Sequence, residues 1–190
     1  MGISQLPNLL TLLRIAAAPA LILLLREQEY RAALAVFFLA GVSDGLDGYI
    51  AKRFHCTSRL GAILDPIADK TLLVSSYVML AWLDKLPFWL VLAVASRDAL
   101  IVGGYLVYTS LYGQVEMRPS VFSKINTLVQ IALVVVMLVE LALPASWPLL
   151  TQGLIYAVLV TTVGSGLHYV WIWGVLKEIK PADNGKSTRS

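Results

Sequence analysis

Asp44-Gly45-Leu46-Asp47-Gly48-Tyr49-Ile50-Ala51-Lys52-Arg53 and, after a short polar link, Gly61-Ala62-Ile63-Leu64-Asp65-Pro66-Ile67-Ala68-Asp69-Lys70 carry four carboxylates in two pairs, each at the end of an apolar run. Asp44 and Asp47 are three residues apart, Asp65 and Asp69 four, so each pair shares one face of a helix. A carboxylate at the centre of an apolar membrane helix costs roughly 2.5–3.5 kcal/mol on insertion scales, and four unpaired ones also repel one another. One explanation is that they cap helix ends or pair with Lys52, Arg53, Arg59 and Lys70. The other is a divalent-cation cluster between two helices, since carboxylate oxygens suit Mg²⁺ or Mn²⁺. The register and the flanking glycines favour the cations.

The stretch resembles the signature of the CDP-alcohol phosphotransferases, D-x2-D-G-x2-A-R-x8-G-x3-D-x3-D. It matches at Asp44, Asp47, Gly48, Ala51, Gly61, Asp65 and Asp69 with every spacing kept. The family's Arg is Lys52 here, with Arg53 beside it, which keeps the charge but not the bidentate fork that grips a phosphate.

Composition bounds the class. The chain has 190 residues, 58% of them hydrophobic, and a mean hydropathy of +0.75, which points to an integral membrane protein. The single cysteine, Cys56, excludes an intramolecular disulfide. The expected fold is all-α, with six transmembrane helices around a cytoplasm-facing polar cavity. The helices are expected at about Asn8–Leu25 (with a kink at Pro19), Arg31–Arg53, Arg59–Leu83, Phe88–Tyr108, Val121–Leu143 and Pro148–Trp173. Residues 1–176 form one domain in this reading, and 177–190 a polar tail.

With an even number of spans both termini share a side. That side would hold Lys52, Arg53, Arg59, Arg118, Lys124, Lys177, Lys180, Lys186 and Arg189, against Arg26, Arg31 and Lys85 on the other. The positive-inside rule then puts the termini and the Asp cluster at the cytoplasmic face of a bacterial inner membrane, or the matrix face of a mitochondrial one. Glycines recur at Gly41 and Gly45, Gly103 and Gly104, and Gly164 and Gly166. Helix packing is the expected role on the fourth and sixth helices.

Other polar residues interrupt the apolar runs. Asn8, Thr11 and Arg14 lie near one face of the first helix; the resemblance implies that they border the nucleotide site, and the alternative for Arg14 is snorkelling to the headgroups. Arg97 and Asp98 are adjacent mid-helix, so each is expected to find its partner elsewhere rather than in the other. Ser123-Lys124-Ile125-Asn126-Thr127 opens the fifth helix. His168 is expected to be structural, and Glu140 has no assigned role.

The resemblance implies transfer of a substituted phosphate from a CDP-linked donor to an alcohol, with release of CMP. It implies two divalent cations, Mg²⁺ or Mn²⁺, held by Asp44, Asp47, Asp65 and Asp69, with Asp69 also the general base. Nucleotide and diphosphate would be bound by Asn8, Thr11, Asp47, Gly48, Ala51, Lys52, Arg53 and Arg59. Arg97, Arg118, Lys124 and Asn126 are expected at the acceptor. Members using glycerol 3-phosphate tend to show R-E-F-x3-G-L-R on the fourth helix and G-K-x-K-T on the fifth. Here Tyr105 and Asn126 stand where a second Arg and a second Lys would be. Ser96-Arg97-Asp98 and Arg118-Pro119 through Thr127 instead resemble the CMP-forming cardiolipin synthases. The implied partners are CDP-diacylglycerol, phosphatidylglycerol, the membrane and a second copy in a homodimer, with no nucleic acid. Phosphatidylglycerophosphate synthesis is the alternative reaction, and a cation-coupled transporter the alternative class.

Overall fold

The structure is a computed structural model. It describes the backbone of residues 6–54, 59–112 and 121–176, and within these the side chains of 12–43, 68, 70–104, 110 and 122–171. Arg118, His55, Cys56 and the 177–190 tail lie outside the described residues.

Six helices form: α1 Leu6–Arg26, α2 Tyr30–Phe54, α3 Arg59–Trp82, α4 Phe88–Tyr112, α5 Val121–Ala142 and α6 Pro148–Leu176. α1 passes through Pro19 as one helix. The turns after α1 and α3 close with Gln28 and Asp84 at positive φ, 62° and 55°. The amides that follow them, on Glu29 and Lys85, donate back to the carbonyls of Leu24 and Leu80. This is the left-handed stop that satisfies the last helical carbonyls. α6 begins with Pro148 in its first turn, where the missing N–H costs nothing. The amide just before it, on Trp147, donates to Glu140 Oε1 at 2.5 Å, and the Thr151 hydroxyl donates to Glu140 Oε2 at 2.9 Å. Glu140 is therefore the cap of α6. At the same end of the molecule Arg31 Nε donates to the Ala142 carbonyl at 3.2 Å, tying the start of α2 to the end of α5.

The helices close into a ring in the order α2, α1, α3, α4, α6, α5 and back to α2, with α3 also touching α5 across it. Leu21 and Leu25 of α1, Phe37 of α2, Tyr77 and Leu80 of α3, Leu90 of α4, Leu133 and Leu138 of α5 and Val158 of α6 fill the middle. The outside is apolar too: Trp82 is 81% and Leu149 87% exposed, with Phe38, Val160 and Leu167 also outward. A surface of that kind fits lipid rather than water. Among the described residues, Phe122–Ala142 and Pro148–Trp171 are long and apolar enough to cross a bilayer. Hydroxyls on the helices turn back onto carbonyls four residues earlier, as Ser43 does on Leu39, Ser76 on Leu72 and Thr127 on Ser123, which satisfies them without water.

Candidate active site

The four aspartates lie on consecutive helices joined by the 55–58 link. Asp44 is ten residues from the link-side end of α2, and Asp69 ten from the link-side end of α3; at 1.5 Å per residue both stand about 15 Å from the link. Asp47 and Asp65 stand seven and six residues from it, about 10 Å. Measured along each helix from the link, the two pairs therefore stand at matching distances. Their side chains, with those of Asn8, Thr11, Gly48, Ala51, Lys52, Arg53 and Arg59, lie outside the described side chains. Among the described residues no group of three His, Cys, Asp or Glu side chains gathers. An all-carboxylate donor set suits a hard divalent cation.

Beside the carboxylate level a cavity of about 450 Å³ opens between α2, α3 and α5. Among the described residues, Phe37, Phe38, Leu72, Leu73, Ile131 and Val135 line it with apolar surface, and Arg14, Lys70 and Thr127 with polar groups. Arg14 is 1% exposed, so snorkelling is overturned: α1 keeps this cation inside, where it lines the cavity. Gly41 also borders the cavity, and a Cβ there would meet nothing within 4 Å.

A polar chain leads away from the cavity. Lys70 on α3 is salt-bridged to Asp98 Oδ2 on α4. Asp98 Oδ1 accepts from Arg97 Nη1 at 2.8 Å. Arg97 Nη2 donates to Ser123 Oγ on α5 at 2.9 Å and to Ser165 Oγ on α6 at 2.5 Å. The expectation that Arg97 and Asp98 do not meet is thus corrected. A long guanidinium stem bends back far enough to reach its own neighbour, although each residue also finds the further partner that its position demands. Arg97 is buried and anchors α4 to α5 and α6. Asn126, fully buried, accepts the Thr161 and Thr162 hydroxyls on Oδ1, both at 2.9 Å. Lys124, by contrast, is exposed. His168 packs its ring on Phe122 at 5.0 Å between centroids, a structural contact.

Sequence reasoning missed Lys70, Asp98, Ser123 and Ser165 as one unit. Lys70 follows Asp69 directly, and its charge inside an apolar helix was the available signal. Of the glycines described on the fourth and sixth helices, only Gly166 comes within contact distance of another helix. A Cβ at Gly103 or Gly164 would meet nothing within 4 Å, and at Gly166 only the Arg97 stem at 3.8 Å.

A family model for CDP-alcohol phosphatidyltransferases matches residues 4–164. The chain is 38% identical over 144 residues to a human protein named cardiolipin synthase (CMP-forming), covering 67% of this chain and 48% of that one. It is 38% identical over 184 residues to a Schizosaccharomyces pombe cardiolipin synthase (CMP-forming)/mitochondrial hydrolase fusion protein, covering 88% and 31%. It is 30% identical over 191 residues to the Bacillus subtilis CDP-diacylglycerol–glycerol-3-phosphate 3-phosphatidyltransferase, covering 91% and 97%. The chain thus spans 48% of the first relative, 31% of the second and 97% of the third. With the aspartate spacing kept on two consecutive helices and the family match running over most of its length, the chain belongs to the CDP-alcohol phosphatidyltransferase family.

Proposed function

We propose that the chain is an integral membrane enzyme of six spans that transfers a phosphatidyl group from CDP-diacylglycerol to a hydroxyl of phosphatidylglycerol, giving cardiolipin and CMP. The observation that carries it is the apolar cavity beside the level of the four aspartates, with Arg14 and Lys70 at its polar edge. Acyl chains would lie in it while the diphosphate reaches the carboxylates. A lipid entering sideways between helices would never pass through water. The relatives named as cardiolipin synthases support the acceptor, as does the absence of cations at Tyr105 and Asn126, which suits a neutral glycerol end.

Asp44, Asp47, Asp65 and Asp69 would hold two divalent cations, Mg²⁺ or Mn²⁺, whose chemistry is to neutralise the diphosphate. Lys52, Arg53 and Arg59 would rim the phosphates, and Gly48 and Ala51 leave room for the cytidine beside Asn8 and Thr11. Lys124, Asn126 and Arg118 belong to the acceptor side, and Arg97 shapes that side by tying three helices together. The acceptor oxygen bonds to the phosphorus that carries diacylglycerol. The bond from that phosphorus to CMP breaks, CMP leaves with the electron pair, and the hydroxyl proton passes to the Asp69 carboxylate. On the resemblance alone, the active form is a homodimer.

A second reading has glycerol 3-phosphate as acceptor, favoured by the near full-length match to the Bacillus subtilis relative. Purified protein with Mg²⁺ or Mn²⁺ and CDP-diacylglycerol, offered either acceptor, separates the two by mass spectrometry of the lipids. Cardiolipin with stoichiometric CMP, reduced at least 10³-fold in Asp69→Asn, is the expected result. Phosphatidylglycerophosphate as the only product would move the acceptor to glycerol 3-phosphate. No CMP with either alcohol would overturn the enzyme reading in favour of a transporter.

A further inference from the structure

Among the described residues, Lys70 is the one that both lines the apolar cavity and belongs to the charged chain running through α4, α5 and α6. Its side chain is 45% exposed, while that of Asp98 is 17% and that of Arg97 only 6%. An ammonium has three donors; the Asp98 contact engages one, and the exposed part of the side chain borders the cavity. Asp98 is itself immobilised. One oxygen takes Lys70 and the other takes Arg97, whose second nitrogen is fixed by hydroxyls of two further helices. A flexible four-carbon stem is thereby held at one place, which reduces the rotamer entropy that a lysine otherwise loses on gripping a ligand. Arg14 lines the same cavity. Two cations beside apolar walls complement a group that is anionic at one end and doubly acylated at the other.

We propose that Lys70 binds the phosphate esterified directly to diacylglycerol, and that Asp98 is a positioning residue that holds the Lys70 ammonium at the cavity edge for it. This rests on the reading of CDP-diacylglycerol as the lipid donor, and goes beyond it by naming the residues that grip the lipid phosphate independently of the carboxylates. Asp98 acts only through Lys70, so the two residues are coupled.

Binding tests it apart from turnover. The whole chain in detergent, with divalent cations chelated, is titrated with CDP-diacylglycerol, phosphatidic acid and diacylglycerol, and Kd is read from intrinsic tryptophan fluorescence. Lys70→Gln is expected to weaken CDP-diacylglycerol and phosphatidic acid about tenfold and leave diacylglycerol unchanged. Lys70→Arg should recover most of the loss. Asp98→Asn should weaken the same two lipids about threefold in the wild-type background and not at all in Lys70→Gln, because coupled residues are not additive. Equal weakening of all three lipids, no recovery by Arg, or full additivity of Asp98→Asn with Lys70→Gln would overturn the proposal. If Asp98→Asn does not fold, the Gln and Arg variants at 70 still decide it through phosphatidic acid against diacylglycerol. A wild-type protein that binds phosphatidic acid through Lys70 yet releases no CMP would keep this inference and overturn the enzyme reading.

Discussion

Gly41 shows what a single residue does for the cavity. It sits inside α2, where glycine costs about 1 kcal/mol relative to alanine, and nothing lies within 4 Å of a Cβ built there. The space it leaves is cavity space. Gly41→Ala is therefore expected to raise stability by up to about 1 kcal/mol, read as a higher unfolding midpoint in detergent, with transfer barely altered. Gly41→Leu keeps the helix but projects four carbons into the proposed lipid path. Its KM for CDP-diacylglycerol should rise severalfold while the unfolding midpoint holds. Unchanged KM in the leucine variant would mean that the acyl chains lie elsewhere. Gln130 is the opposite kind of residue. It is 1% exposed and neither side-chain amide atom has a hydrogen-bond partner, an arrangement that costs of order 1–3 kcal/mol and for which we have no physical account.

At the scale of the element, Glu140 is the clearest dependency. Its carboxylate satisfies the amide ahead of Pro148 and the Thr151 hydroxyl at once. Glu140→Ala should cost about 1 kcal/mol, the usual cost of losing a helix cap, seen as a lower unfolding midpoint. Transfer should persist, because Glu140 lies about 25 Å along α5 from Ser123 at 1.5 Å per residue. The helices themselves were legible in sequence because Pro87, Pro144 and Pro148 and the charged turns punctuate long apolar runs. The largest difference is α4, expected to end at Tyr108 and running on to Tyr112. Their arrangement was not legible. Outward-facing Val160 and Leu167 are as apolar as buried Val158, so periodicity does not reveal which face of α6 turns inward. The aspartate register was legible, since spacing alone puts each pair on one face. The Lys70–Asp98 pair was not: 28 residues separate its members, and only the adjacency of α3 and α4 in the ring brings them together. Arg97 was misjudged for a related reason, since a rule about helix faces says little about a side chain long enough to fold back.

At the scale of the molecule the charges would divide by side rather than by helix. Nine cations would flank the aspartate end and three the other, if all six helices cross. Two helices among the described residues are long and apolar enough to cross a bilayer; α2, α3 and α4 carry the charged residues of the proposed site, and α1 carries Arg14. A helix that brings Asp65, Asp69 and Lys70 into a bilayer is stable only if the ring buries them, so the crossing of α3 is tied to the site it carries. The sole cysteine makes this testable. Cys56 lies in the link between α2 and α3, and Lys85 in the turn between α3 and α4. A membrane-impermeant maleimide should label Cys56 in inside-out bacterial vesicles and not in right-side-out ones. In a Cys56→Ser background, Lys85→Cys should show the reverse. Labelling of both from one side would mean that α3 does not cross, and the carboxylates would then have to work from the membrane surface, where a water-free path for the lipid donor no longer follows.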